Sequence, residues 1–335
     1  MHPAFQGLLT IIIGVGGCVG YFYLSNQFLD KVLFPARGPN AGQNINRANM
    51  IRPWLFLFPA MFALGLYLAY PVVETLRLSF TERLPGGAFG FVGFENYSKM
   101  FAEPKFWEAM RNNMLWLIVV PAASTGFGLL AAQLTDRIRW GAAAKSLIFM
   151  PMAISFVGAS VIWKLVYDTR PEGTDQIGIL NAVYLALGGV EPQTWLTIPF
   201  WNNFFLMIVL IWIQTGFAMV ILSAALRGIP EETVEAAIVD GAGPFQIFFK
   251  IKVPQIMGTI VVVWTTITIA TLKVFDIVFA MTNGQWETQV LANYMYDKLF
   301  RANDWGMGSA AAIIIMLLVT PILVWNVYNA RKEMR

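Results

Sequence analysis

Histidine and cysteine are almost missing from this chain of 335 residues, which has one of each, His2 and Cys18. A single cysteine excludes an internal disulfide and a cysteine-rich metal site. One histidine at the extreme N-terminus leaves neither a histidine acid–base pair nor the usual zinc ligand set. Charge is scarce too: Asp, Glu, Lys and Arg together make up only 13% of the residues. No Gly-x-x-x-x-Gly-Lys-Ser/Thr loop occurs, so nothing here cradles the phosphates of a nucleotide. The carboxylates form no compelling acid–base pair either. What fills the chain instead is apolar: 57% of residues are hydrophobic and the mean hydropathy is +0.59. A soluble domain does not tolerate that balance. The composition is that of an integral membrane protein.

Seven apolar runs are long enough to cross a bilayer: about 5–24, 54–80, 113–134, 146–166, 201–226, 254–281 and 305–327. They predict an all-α, polytopic bundle of about seven transmembrane helices. The first run is not expected to be a signal peptide, because Met1-His2-Pro3-Ala4 carries no cation and the apolar part is too long. Gly16 and Gly20 in that run have the small-xxx-small spacing of helix packing. If seven spans alternate, one side holds thirteen cations: Lys31, Arg37, Arg47, Arg52, Arg137, Arg139, Lys145, Arg227, Lys250, Lys252, Arg331, Lys332 and Arg335. The other side holds seven, Arg83, Lys99, Lys105, Arg111, Arg170, Lys298 and Arg301. The positive-inside rule then places the first set, the C-terminus included, in the cytoplasm and the N-terminus outside.

Ionisable groups within the spans are candidate functional residues by default. Lys273 and Asp276, three apart in the sixth run, fit either a mutually satisfied structural pair or a functional one. Thr265, Thr266, Thr268, Thr271 and Asp276 give that run a polar side, suited to helix–helix hydrogen bonds or to a hydrophilic pathway. With Trp163, Tyr167 and Asp168 at the outer end of the fourth run, Thr268, Thr271 and Asp276 are the candidates for lining a solute route. Aromatic faces and hydroxyl or carboxylate groups offer a polar solute both surface contact and hydrogen bonds in a mostly apolar cavity.

Between the fifth and sixth runs lies a polar island. Pro230, followed by Glu231 and Glu232, is a helix start, with carboxylates at the positive end of the dipole. Gly241 and Gly243 allow a turn, Pro244 begins a second short helix, and Lys250 and Lys252 lie at its negative end. The expected form is a helix–turn–helix outside the bilayer. Glu235-Ala236-Ala237, then Gly241 after three residues, Ile251 after nine more, and Val253-Pro254 resemble the EAA motif of ABC-importer permease subunits, with Val253 where the family usually has Leu.

That resemblance implies a great deal. Residues 1–30 would be an additional helix, 31–53 a cytoplasmic connector, and 54–335 the permease domain with its coupling loop at 227–254. Glu235, Ala236, Ala237, Asp240, Gly241, Ala242, Gly243, Ile251 and Pro254 would meet an ATPase subunit. The chain itself would carry no cofactor, with ATP and Mg held by two cytoplasmic ATP-binding subunits. A second permease would complete the pathway, and an extracytoplasmic solute-binding protein would deliver the solute. Lipid and a small sugar would be the other partners, and nucleic acid none. The extra first helix and Phe275-Asp276 with Thr282-Asn283-Gly284 are similar to the carbohydrate branch of maltose and α-glucoside permeases, although Gly-Gly-Pro usually follows that threonine. A permease for a non-sugar solute is the main alternative. An ion-coupled secondary transporter would leave the motif loop unexplained and would show more buried acids. A membrane enzyme would need His, Cys or clustered acids within the spans.

Overall fold

The computed structural model describes residues 3–136 and 138–333, so His2, Arg137 and Arg335 lie outside the described residues. The chain forms two compact units, Met1–Glu74 and Thr75–Arg335.

In the first unit α1 (Pro3–Phe28) ends in a π turn, Leu29–Leu33. The next helix, α2 (Ala41–Leu64), begins well inside the stretch expected to be a connector. Residues 41–52 contain no proline, so nothing in them stops a helix. Pro53 and Pro59 are both accommodated within it. A helical proline leaves the carbonyl four residues back without its donor. For Pro59 that carbonyl is Leu55 O, and the Tyr21 hydroxyl of α1 donates to it at 2.9 Å. Arg52, about one turn before Leu55, pairs with Asp30 at 2.6 Å, nearer the turn of the hairpin. A π turn, Gly65–Ala69, precedes α3 (Tyr70–Ser79) and absorbs the donor missing at Pro71.

The second unit opens on a small antiparallel hairpin, β1 (Thr81–Arg83) and β2 (Phe89–Phe91), with Glu82 opposite Gly90. A short helix, α4 (Glu95–Ala102), follows, and Asn96 donates to both Ser79 O and Thr81 O at 2.9 Å. On α4, Lys99 is held above its ordinary pKa, first by its hydrogen bond to Glu95 and further by Glu82. Helix α5 (Pro104–Thr135) starts nine residues earlier than the apolar run, with Pro104 in its first turn.

The fourth run is not one straight span. It is α6 (Gly141–Phe149), a 3-10 turn (Met150–Ala153) and α7 (Phe156–Val166), bent by 106°. Pro151 cannot continue α6, and the Ser155 side chain caps α7 by accepting from Gly158 N at 3.1 Å. After α8 (Ile179–Ala186) comes α9 (Trp201–Arg227), which matches the fifth run. Helix α10 (Glu231–Val239) leads to α11 (Pro244–Gln246), which continues through a π turn (Ile247–Lys252) into α12 (Val253–Gln255).

The sixth run is broken as well. Helix α13 (Met257–Leu272) stops before α14 (Asp276–Met281). The loop expected beyond it contains α15 (Leu291–Tyr296) and a π turn (Asp297–Arg301), and α16 (Trp305–Glu333) is last. Among the described residues five helices are long and apolar enough to span, and two bent pairs raise the total to as many as seven.

Helix α9 is the centre of this unit and packs on α5, α6, α7, α13 and α14. Trp116 of α5, Leu206, Leu210 and Met219 of α9 and Ile267 of α13 are fully buried around it. The α5–α9 crossing is close because Gly128 faces Ala218: a Cβ at Gly128 would sit 2.4 Å from that of Ala218. A second cluster, with Phe106, Leu291, Tyr294 and Ala310, joins α4, α5, α15 and α16.

Candidate functional site

The polar island has the predicted helix–turn–helix. Pro230 is the N-cap of α10, and Glu231 and Glu232 occupy its first turn. The helix ends in a Schellman motif: Ala242 N donates to Ala237 O at 2.9 Å and Gly241 N to Ile238 O at 3.0 Å. Gly241 is the left-handed residue this ending requires, with φ +78°. Gly243 N then donates to Gln246 Oε1 at 3.1 Å, which fixes the start of α11. Segment 244–255 meets α13 at 72°. Asp240 caps the first helix, and Ile251 and Pro254 lie on the second segment.

The two alanines of the motif differ in exposure. Ala237 is buried within the loop itself, whereas Ala236 is exposed with Glu232, Glu235 and Val239 on one face. Of the two, Ala236 alone is open to the surface. A cavity of about 380 Å³ lies beneath, lined by Leu226, Arg227, Ile229, Glu231, Val234, Glu235 and Lys252. Arg227 Nε donates to Ser223 O at 3.3 Å. The Ser223 hydroxyl in turn bonds Lys145 at 2.7 Å and Asp136 at 3.1 Å, and Lys145 pairs with Asp136. The cavity is thus tied to the adjoining ends of α5, α6 and α9.

The break in the sixth run holds the two charges. Lys273 follows the last residue of α13 and Asp276 is the first of α14. Among the described residues no hydrogen bond or ion pair joins either side chain to a partner, so the mutual pair is not formed. Each sits on the helix end that favours it, a cation by the carbonyl end and a carboxylate by the N–H end. Lys273 is exposed and lines a cavity of about 350 Å³ with Phe275, Met295, Tyr296 and Ala312. Phe275 stacks on Phe279 at 4.9 Å, and Tyr296 closes on both rings.

The other pathway candidates divide. Thr271 is fully buried and donates to Ile267 O, and Tyr167 is buried with its hydroxyl donating to Phe205 O at 3.0 Å. Both are occupied in packing. Thr268 is half-buried and bonds Trp264 O. Trp163 is half-buried against Tyr167 and Trp212, and Asp168 lies 3.8 Å from Arg170. The structure brings α7, which carries Trp163, against α14, which starts at Asp276.

At the far end from the motif loop, two pairs of neighbouring asparagines grip one loop. Asn112 donates to Glu287 O and Gln289 O, each at 2.8 Å, and Asn113 accepts from Leu291 N at 2.7 Å. From α9, Asn202 donates to Trp286 O at 2.5 Å and Asn203 to Glu287 O at 3.2 Å. In that loop Asn283, Gly284, Trp286 and Glu287 all have positive φ, a run that three side chains strain and the asparagines hold.

Residues 124–335 match the family of binding-protein-dependent transport system inner membrane components. The chain belongs to that family. It is 61% identical to the alpha-glucoside transport system permease protein of Rhizobium meliloti, over 99% of both chains. It is 47% identical to the osmoprotective compounds uptake permease protein of Synechocystis, over 84% of this chain and 100% of that one. A bacterial ABC transporter involved in the import of the acidic polysaccharide alginate shares the fold, with a TM-score of 0.72 at 20% identity over 88% of this chain and 99% of that one.

As a family member the protein is a transport component of the inner membrane and not an enzyme. Sequence reasoning about this permease missed the asparagine grip, α15 and the break at 273–275. The visible signal for the first was two Asn-Asn pairs, each at the same end of an apolar run.

Proposed function

We propose that this permease forms half of the transmembrane pathway of an ATP-driven importer for an α-glucoside such as sucrose, trehalose or maltose. The observation that carries the substrate class is the 61% identity over 99% of both chains to an alpha-glucoside permease. A second permease supplies the other half, two ATP-binding subunits with their ATP and Mg dock on the motif loop, and a solute-binding protein works outside. The exposed face of α10, with Glu232, Glu235, Ala236 and Val239, supports the docking reading. The cation count supports a cytoplasmic loop and tail with the N-terminus outside.

The solute passes the helix break. An exposed, unpaired Lys273 facing lipid would be costly, so a wet surface is the environment that suits it. Lys273 as donor, Asp276 as acceptor and the Phe275–Tyr296 rings as a platform are the chemistry a polyhydroxylated ring needs. Trp163 and Thr268 belong to the same route, with Thr271, Tyr167 and Asp168 supporting it from behind.

Uptake of labelled sucrose, trehalose and maltose is the test, in cells deleted for the chain and complemented with it. Restored uptake of an α-glucoside is expected, lost again in Asp276→Ala at normal membrane abundance. The relative that takes up osmoprotective compounds favours a second reading, a non-sugar solute. Restoration of such a solute without any α-glucoside would replace the first reading by the second.

A further inference from the structure

Helix α8 lies in the segment between α7 and α9, and its polarity is inverted. Its one strongly polar side chain, Asn181, is fully buried. There it donates to Asp168 O at 3.1 Å, Thr169 Oγ1 at 3.0 Å and Gln193 O at 3.0 Å, and accepts from Gln193 N at 2.9 Å. The outward face is apolar. Ile179, Val183 and Leu187, one turn apart, are 63%, 48% and 83% exposed, and Val190, just past the helix, is 87% exposed. From Gln176 to Val190 there is no charged residue at all. A helix bathed in water has the opposite arrangement, with its apolar stripe against the core.

The depth of α8 is fixed by a chain of rings. Tyr184 of α8 meets Trp195 at 5.6 Å, and Trp195 meets Phe205 of α9 at 5.3 Å. Phe205 lies about one turn, roughly 5–6 Å, inside the start of α9 at Trp201. The inner face of α8 is therefore level with the first turns of a spanning helix. Eight residues make only about 12 Å of helix, too short to cross a core of about 30 Å. The face is also continuous with a spanning surface, because α8 packs on α7, whose Val161, Ile162 and Leu165 are exposed. A soluble partner is the poorer fit: interfaces that form and dissociate are about as polar as ordinary surface.

We propose that α8 is an in-plane helix whose Ile179–Val183–Leu187 face is sunk in the lipid of the leaflet opposite the motif loop. The loop that carries Asp168 and Asn181 is thereby held at the bilayer surface.

Nitroxide labels on Val183→Cys and Leu187→Cys test this, in a Cys18→Ser background, with the assembled complex in phosphatidylcholine nanodiscs. Asp175→Cys, in the polar loop before α8, is the aqueous reference. The expected result is an oxygen-to-nickel-chelate accessibility ratio several-fold above that at Asp175. A ratio equal to that at Asp175 would mean the face meets water and overturns the proposal. Low accessibility to both reagents would mean a protein subunit covers it, and overturns the proposal equally.

Discussion

Gly241→Ala should weaken coupling while Gly243→Ala, two residues away, leaves it intact. The difference comes from backbone alone, since a Cβ at either position would meet nothing within 4 Å. Gly241 has φ +78°, where any other L-residue costs about 1–2 kcal/mol. Gly243 has φ −74° and ψ 164°, the extended conformation favoured before a proline, which alanine adopts freely. About 1–2 kcal/mol lowers the ratio of bent to unbent loop roughly 5- to 30-fold. A nine-residue helix closed by two Schellman bonds has little stability in reserve to absorb that loss. Gly241→Val adds β-branching in the same forbidden region and should abolish uptake. The assay is ATP turnover of the purified complex with and without loaded binding protein, at matched membrane abundance of the permease. Stimulation should fall at least about fivefold in Gly241→Ala and stay at wild-type level in Gly243→Ala. Equal stimulation in the two variants would refute the claim that the left-handed turn sets the coupling geometry.

Three further outcomes are expected. Tyr21→Phe removes the donor to Leu55 O and should cost about 1 kcal/mol, read as faster hydrogen exchange or proteolysis in the hairpin of α1 and α2. Asn112→Ala strips the buried Gln289 O of its donor and leaves Glu287 O with Asn203 alone, and should cost about 1–3 kcal/mol, seen as a lower thermal midpoint of the complex. In the Cys18→Ser background, Asp175→Cys should react with an impermeant thiol reagent in intact cells, and Arg139→Cys only after permeabilisation; the reverse pattern would invert the proposed orientation.

The motif loop was legible because its turns are written in glycine and proline at fixed spacing, and both fix backbone angles locally. Helix α9 was legible for the opposite reason: 27 residues without a breaker can only be one span. The bends were not. Pro151 sits in a run whose hydropathy hardly changes, and hydropathy reports length without direction. The break at Lys273–Phe275 is carried by residues with no breaking tendency of their own, so tertiary packing of α14 on α7 decides it. Lys273 and Asp276 looked like an ion pair from their spacing, which assumed an unbroken helix; once the helix stops between them, that geometry disappears. The start of α2 inside the polar connector was not legible because polarity marks distance from the bilayer and not backbone conformation, and Ala41 to Arg52 has nothing to prevent a helix.

The asparagines of α5 and α9 hold the loop at 284–290 by its main chain, and their hydrogen bonds go to carbonyls and one amide. The asparagines therefore read backbone alone, while the buried, hydrogen-bonded Thr288 and Gln289 are the loop's own side-chain contribution. Trp286, half exposed at φ +52°, can be exchanged without dismantling the loop, and glycine there would even relax it. Shape and surface chemistry at that mouth are separately adjustable. Exposed residues such as Trp286 can change while the four asparagines keep the backbone in place.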